Sequence, residues 1–272
     1  MAFGSVSGGL IKKTNMALIA MAVYDTEENK RTWMTRKTLE SLRATVNLDR
    51  HRVVVVDNDS IPATHAVYQD FPEFTYMYLV ENVGTALAIN YAWHKHRRTG
   101  EHAVKMDNDV VIYQVGWADQ LEEAIRRDPL IGICGLKRKD CMENPDRAEG
   151  DFFKSRLYML PHTPGERWII GEQVNHVMGT CQMYSSMLLS DIGYLFQPRL
   201  YGFDDALAGV RCQIAGYKSV FLPHIEIDHI DPGDTPYQRW KEKSAGEDFA
   251  EYHKIVAEYQ SGQRPIYYNP FI

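Results

Sequence analysis

Asp-Asn-Asp occurs twice in this chain, each time at the end of an apolar run: "VVVVDNDS" over Val53–Ser60 and "VKMDNDVVI" over Val104–Ile112. Two carboxylates so close together offer hard oxygen ligands to a divalent cation, and such a cation in turn carries phosphate oxygens. The same tripeptide is also an ordinary turn, in which Asp and Asn side chains bond nearby backbone. Location favours the ligand reading, because open parallel sheets bind beyond the carboxyl ends of their strands. A further acidic pair, Asp204-Asp205, opens the helical pattern "DDALAGVRCQI". Neighbouring helical residues point about 100° apart, so the two cannot both face one atom. A helix N-terminus also attracts acids through its dipole alone. His229 in "HIEIDHI" falls on the same side of an alternating segment as Ile225 and Ile227. That pattern favours a core histidine over a ligand.

Elements of strand and helix length alternate along the chain and predict a mainly parallel, Rossmann-like α/β sheet flanked by helices. Strands are expected near Ala17–Val23, Arg52–Val56, Tyr76–Val80, His102–Met106 and Leu130–Gly135. Four consecutive valines in the second indicate a strand buried on both faces. Helices are expected around Leu39, Leu42 and Val46, over "TALAINYAWHKHRR", and around Trp117, Leu121 and Ile125, where apolar residues step by three and four. From Leu136 to Trp168 the pattern breaks into a polar stretch with three prolines. A long irregular segment in a compact domain is usually functional. A strand and helix follow within "VNHVMGTCQMYSSMLLSDIGYL". Gly216 then stops the helix of the acidic pair, and a last strand carries His229. The final forty residues hold a helix with Trp240, Phe249, Tyr252 and Val256 and an aromatic tail, "PIYYNPFI", which could fold over the cleft as a lid.

The chain has 272 residues and a formal charge of −6. That charge does not advertise a surface for nucleic acid. Its four cysteines, Cys134, Cys141, Cys181 and Cys212, show no Cys-x-x-Cys spacing. They read as reduced core residues in a cytoplasmic setting. The apolar run after Lys12 and Lys13, with its Ala20-Met21-Ala22, resembles a leader peptide but reads as a buried first strand. It is too short to span a bilayer, and no other segment is a candidate span.

Taken in order, "VVVVDNDS", "ENVGTALAINYAW", "VKMDNDVVI" and "FDDALAGVRCQIAGYKSVFLPHIEIDH" resemble the signature of family 2-type GT-A glycosyltransferases, over about Ala17 to Asp231. The resemblance implies a GT-A fold in a single domain with a C-terminal helical extension. It implies a nucleotide-sugar donor, with uridine diphosphate as the expected nucleotide, and a divalent cofactor, Mn2+ or Mg2+. Asp57 would contact the nucleoside with Tyr24 nearby, and Asn82 and Gly84 would let backbone approach the nucleotide. Asp107 would reach the ribose or a metal-bound water, Asp109 would bind the metal, and His229 would complete its shell. Asp205 would be the catalytic base and Asp204 would bind the acceptor or cap the helix. Gly179, Thr180 and Trp168 are further acceptor candidates. Two departures stand out. "AVYDTEEN" replaces the usual Pro-Thr-Tyr-Asn-like run after the first strand, and the acidic pair is Asp-Asp rather than Glu-Asp.

The implied domains are a lead-in over 1–15, a catalytic domain over 16–234 and a helix and tail over 235–272. Within the catalytic domain, 16–135 would bind the nucleotide sugar and 136–234 the acceptor. Inversion is the expected outcome, although the fold also supports retention. A glycan or polysaccharide is the default acceptor. A hydroxylated base in DNA is a rival, but residues 136–168 hold seven basic against six acidic side chains, which gives no basic groove. A non-catalytic carbohydrate- or nucleotide-binding module is the alternative of another class. A nucleotidyltransferase is weaker, because no Gly-rich, Lys-bearing loop follows the first strand.

Overall fold

The computed structural model describes residues 17–140, 155–232 and 236–272. The lead-in over 1–15, Cys141 and residues 142–154 of the polar stretch lie outside them. The apolar runs become the centre of one sheet. Strands β1 (Ala17–Val23), β2 (Arg52–Asn58), β3 (Thr75–Leu79) and β4 (His102–Met106) are parallel, in the order β3-β2-β1-β4. Ile19, Met21, Val53 and Val55 pack into one core layer, and Leu18, Ala20, Val54 and Val56 into the other. Burial on both faces explains why these strands show no polar alternation.

Past β4 the sheet becomes mixed. β9 (Cys181–Tyr184) runs antiparallel between β4 and β6 (Ile131–Arg138), and β10 (Lys218–His229) lies parallel to β6. The hairpin of β7 (Arg156–Met159) and β8 (Ile170–Val174) pairs with β10 and forms the far edge. β5 (Val110–Ile112) leaves the second Asp-Asn-Asp and pairs antiparallel with the end of β10, setting His229 opposite Val110. β6 runs through position 135, so the sheet is continuous across the expected boundary there.

The helices are α1 (Thr32–Thr45), α2 (Pro62–Tyr68), α3 (Thr85–His96), α4 (Trp117–Arg127), α5 (Ser186–Ile192), α6 (Asp204–Ile214) and α7 (Pro236–Gln260). Leu39 and Leu42 of α1, with Trp117, Leu121 and Ile125 of α4, fill the first layer. Ala88, Ile89 and Trp93 of α3 fill the second. In α7, Tyr252 is buried and stacks on Phe203 at 4.6 Å, whereas Phe249 is exposed; the side chain of Trp240 lies outside the described residues. Among the described residues no helix is long and apolar enough to cross a membrane.

The tail corrects the lid expectation. Tyr268 donates its amide to the Ile192 carbonyl at 2.9 Å and accepts from the Tyr194 amide at 2.8 Å. Phe271 packs among Tyr91, His94 and Tyr194. Arg211, fully buried in α6, donates to the carbonyls of Ile192, Tyr194 and Ile266. Aromatic packing and these backbone bonds hold the tail against α3, α5 and α6, and none of its residues lines the cleft described next.

Candidate active site

The ends of β1, β2, β4 and β10 meet the start of α6 around a cleft of about 390 Å³. Asp109 and Asp205, separated by 96 positions in the sequence, both line it. The second Asp-Asn-Asp divides its labour residue by residue. Asn108 turns inward and donates to Asp25 at 3.0 Å and to Thr35 at 2.8 Å, which fixes the turn. Asp107 and Asp109 then emerge on the cleft wall.

Asp109 meets His229 and Asp231. One ligand atom from each lies within 4.8 Å of the others, an oxygen and nitrogen set that suits Mn2+ or Mg2+. His229 Nε2 stands 3.4 Å from Asp109 Oδ2. The Arg31 guanidinium also enters the group, donating to Asp109 Oδ2 and, at 2.7 Å, to Asp231 Oδ2. Positive charge therefore already sits among these carboxylates, which is the charge a metal would bring. The residues fit a divalent ion.

The acidic pair separates as the helical angle requires. Asp204 is buried and faces Lys105, whose Nζ is 3.3 Å from Asp204 Oδ2 and 3.2 Å from Asp107 Oδ1. Burial pulls the Lys105 ammonium down, but Asp107, Asp204 and Asp205 outweigh it and hold its pKa well above the usual lysine value. Burial pushes the Asp204 carboxyl up; Lys105 opposes this, and the neighbouring carboxylates add to it. Asp205 turns the other way. Its Oδ2 accepts from the Gly179 amide at 2.7 Å and pairs with His176 Nε2 at 3.1 Å, and its Oδ1 accepts from the Ala206 amide. Burial would raise Asp205, but His176, Lys105 and the Ala206 amide prevail and hold it below the usual carboxylate range. No side chain caps α6 at its N-cap, Phe203, so Asp204 serves as partner to Lys105 and not as a cap.

Glycine at position 179 is what permits this packing. A β-carbon there would stand 2.5 Å from Lys105 Nζ and 3.1 Å from Asp205 Oδ2. Next to it, the Thr180 hydroxyl is buried with no hydrogen-bond partner among the described residues, on the cleft wall. Trp168 lies elsewhere. It stacks on His162 at 3.6 Å, is 61% exposed, and does not line the cleft.

The first Asp-Asn-Asp presents its middle residue to the cleft. Asp57 is buried against α2, where its carboxylate accepts from the Tyr68 hydroxyl at 2.6 Å and the Ser60 amide at 2.9 Å. It is not part of the cleft lining, whereas Asn58 is. Strand alternation turns residues 57 and 58 to opposite faces. Asn58 donates to Asn82 Oδ1 at 2.8 Å, and Asn82 Oδ1 also accepts from the Gly84 amide. Asn82 and Gly84 thus shape the entry to α3, and Thr85 lines the cleft at its first turn. Gly84 has φ 86°, and a β-carbon there would meet the Leu200 carbonyl oxygen at 2.9 Å. Tyr24 lines the cleft from the loop after β1.

The structure therefore gathers Tyr24, Asp107, Asp109, Gly179, Thr180, Asp204, Asp205 and His229 on one cleft and leaves Asp57, Asn82, Gly84 and Trp168 outside its wall. Arg31, Asn58, Lys105, His176 and Asp231 are site residues that sequence reasoning did not select. Only Asn58, the middle residue of a tripeptide already singled out, carried a local signal.

The family profile described as "Glycosyl transferase family 2" matches residues 29–193. No match is found among curated proteins. Solved structures share the fold. A mannosyltransferase from Pyrobaculum calidifontis, in complex with GDP-Man and Mn2+, is 18% identical with a TM-score of 0.58, over 84% of this chain and 60% of that one. S. aureus TarS 1-349 in complex with UDP-GlcNAc is 17% identical with a TM-score of 0.60, over 89% and 65%. GalNAc-T7 with UDP, GalNAc and Mn2+ is 13% identical with a TM-score of 0.56, over 81% and 44%. The chain thus spans less than two thirds of the length of each.

Proposed function

Because the chain belongs to glycosyl transferase family 2, we propose that its cleft moves a sugar from a nucleotide diphosphate, with UDP as the nucleotide, to an acceptor hydroxyl with inversion. The observation that carries this reading is the convergence of Asp109 and Asp205 on one cleft. Asp109, His229 and Asp231 would hold Mn2+ or Mg2+, which when bound neutralises charge on the departing diphosphate. Residues 16–135 supply the donor side, with Tyr24 and Asn58 at the nucleoside end and Asp107 toward the ribose. Residues 136–234 supply the acceptor side, with Gly179, Thr180 and Asp204. A glycan is the acceptor class we favour, and the setting we favour is cytoplasmic, in keeping with the free, buried Cys134, Cys181 and Cys212.

Asp205 is the base. The environments of the two acids drive their pKa values apart, Asp204 up and Asp205 down. Such a split is how neighbouring carboxyls acquire different duties. Asp205 is ionised at neutral pH, and the acceptor hydroxyl acidifies as its oxygen bonds to the anomeric carbon, so a weak base suffices. The proton passes to Asp205 while the bond to the diphosphate breaks on the opposite side.

A thermal-shift screen of nucleotide sugars with and without Mn2+, followed by donor turnover, tests this. Stabilisation by one nucleotide sugar and its turnover in Mn2+ are expected. Binding without turnover for every donor and acceptor offered, glycans and hydroxylated DNA included, would make this a binding module.

A further inference from the structure

The candidate metal cluster already holds a cation of the protein's own. Arg31 is 4% exposed and bridges Asp109 and Asp231, two of the three groups that would bind a metal. A divalent ion seated there would stand against the guanidinium, and like charges so close in a buried site repel strongly. Resting on the metal reading above, we propose that Arg31 is an exchangeable place-holder. It neutralises and pre-positions Asp109 and Asp231, yields them to the divalent cation, and then turns its guanidinium to the donor's diphosphate.

Backbone, location and charge agree with this exchange. The Arg31 amide donates to Asn29 Oδ1 at 3.2 Å, and its carbonyl accepts from Met34 and Thr35 at 2.8 and 3.1 Å, so the backbone is pinned. The residue lines the cleft with Tyr24 and Asn58, so the side chain has open space to enter on leaving the carboxylates. A divalent cation brings these two carboxylates one more positive charge than the guanidinium does. A released guanidinium is also a good phosphate ligand, since its planar fork matches two phosphate oxygens at once. Arg31 is a positioning residue until the exchange and a donor ligand after it.

The test is Mn2+ affinity without nucleotide, read as free Mn2+ by electron paramagnetic resonance, for wild type and Arg31→Met, with melting curves in EDTA. Removing the competitor should tighten Mn2+ binding by about tenfold or more. The variant should melt below wild type in EDTA and gain more from added Mn2+. Binding no tighter than wild type overturns the place-holder while leaving the metal site standing. Absence of Mn2+ binding in both proteins overturns both readings. Should Arg31→Met fail to fold, Arg31→Lys decides, because a point charge bridges two carboxylates less well than the fork. It too must bind Mn2+ more tightly than wild type, and equal or weaker binding overturns the proposal. UDP should tighten Mn2+ binding more in wild type than in either variant; equal tightening overturns the transfer of Arg31 to the diphosphate.

Discussion

Replacing Lys105 by methionine keeps the length of the side chain and removes the ammonium that lies 3.2 Å from Asp107 and 3.3 Å from Asp204. Asp107 is open enough to be solvated, but Asp204 is buried and would keep a charge with no cation beside it. Losing one member of a buried pair costs about 3–5 kcal/mol. Asp204 can limit that cost by taking up a proton. Its ordinary pKa of 3.8 lies about three units below pH 7, and each unit is worth about 1.4 kcal/mol, which caps the penalty at about 4 kcal/mol. The sign of the pH dependence follows. A carboxyl whose folded pKa is raised binds its proton in the folded state where the unfolded chain has released it. Stability therefore falls as pH rises above the unfolded value. The variant should recover on acidification, with a deficit of roughly 2 kcal/mol or less at pH 5. Urea unfolding of both proteins at pH 5, 6 and 7, without nucleotide, measures this. A deficit under about 1 kcal/mol at pH 7, the level of a solvated surface pair, would refute the reasoning. So would a deficit that does not shrink between pH 7 and pH 5.

Asp205→Asn should lower kcat of sugar transfer or donor hydrolysis by about 10²–10⁴-fold, the usual contribution of a general base, with UDP affinity in Mn2+ unchanged by calorimetry. Gly84→Ala forces a side chain into φ 86° and against the Leu200 carbonyl. It should cost about 1–3 kcal/mol by chemical denaturation and weaken UDP binding. Arg211→Met strips donors from the carbonyls of Ile192, Tyr194 and Ile266. A loss of at least about 3 kcal/mol is expected, with faster amide exchange over residues 263–272.

What could be read in the sequence depended on how far burial leaves a mark on neighbouring residues. β1 and β4 fall on the expected residues, because a strand buried on both faces is an unbroken apolar run. β7 and β8 escaped notice because Leu157, Met159 and Ile170 face solvent at the sheet edge, so their pattern carries no core period. β5 has three residues and α2 seven, too few to establish a repeat. For His229, alternation gave the correct side: Ile227 pairs with Ile112 and His229 with Val110 on that face. Alternation does not say where the core ends, and His229 lies just past it beside Asp109. Arg31 and Asp231 meet across 200 residues, and His176 and Asp205 across 29. Such contacts are made by folding alone and leave no spacing to recognise. In the first Asp-Asn-Asp the side chains alternate, so Asp57 faces the packing of α2 while Asn58 faces the cleft.

The grip of Arg211 on Ile266 has a practical side. One end of α6 carries the two acids and the other carries this arginine, so shortening the polypeptide after Gly262 would leave the buried guanidinium with the carbonyls of Ile192 and Tyr194 alone and loosen the helix that carries Asp205. A deletion of residues 263–272 should therefore lower the transfer activity proposed above, as a lesion among the acids themselves would.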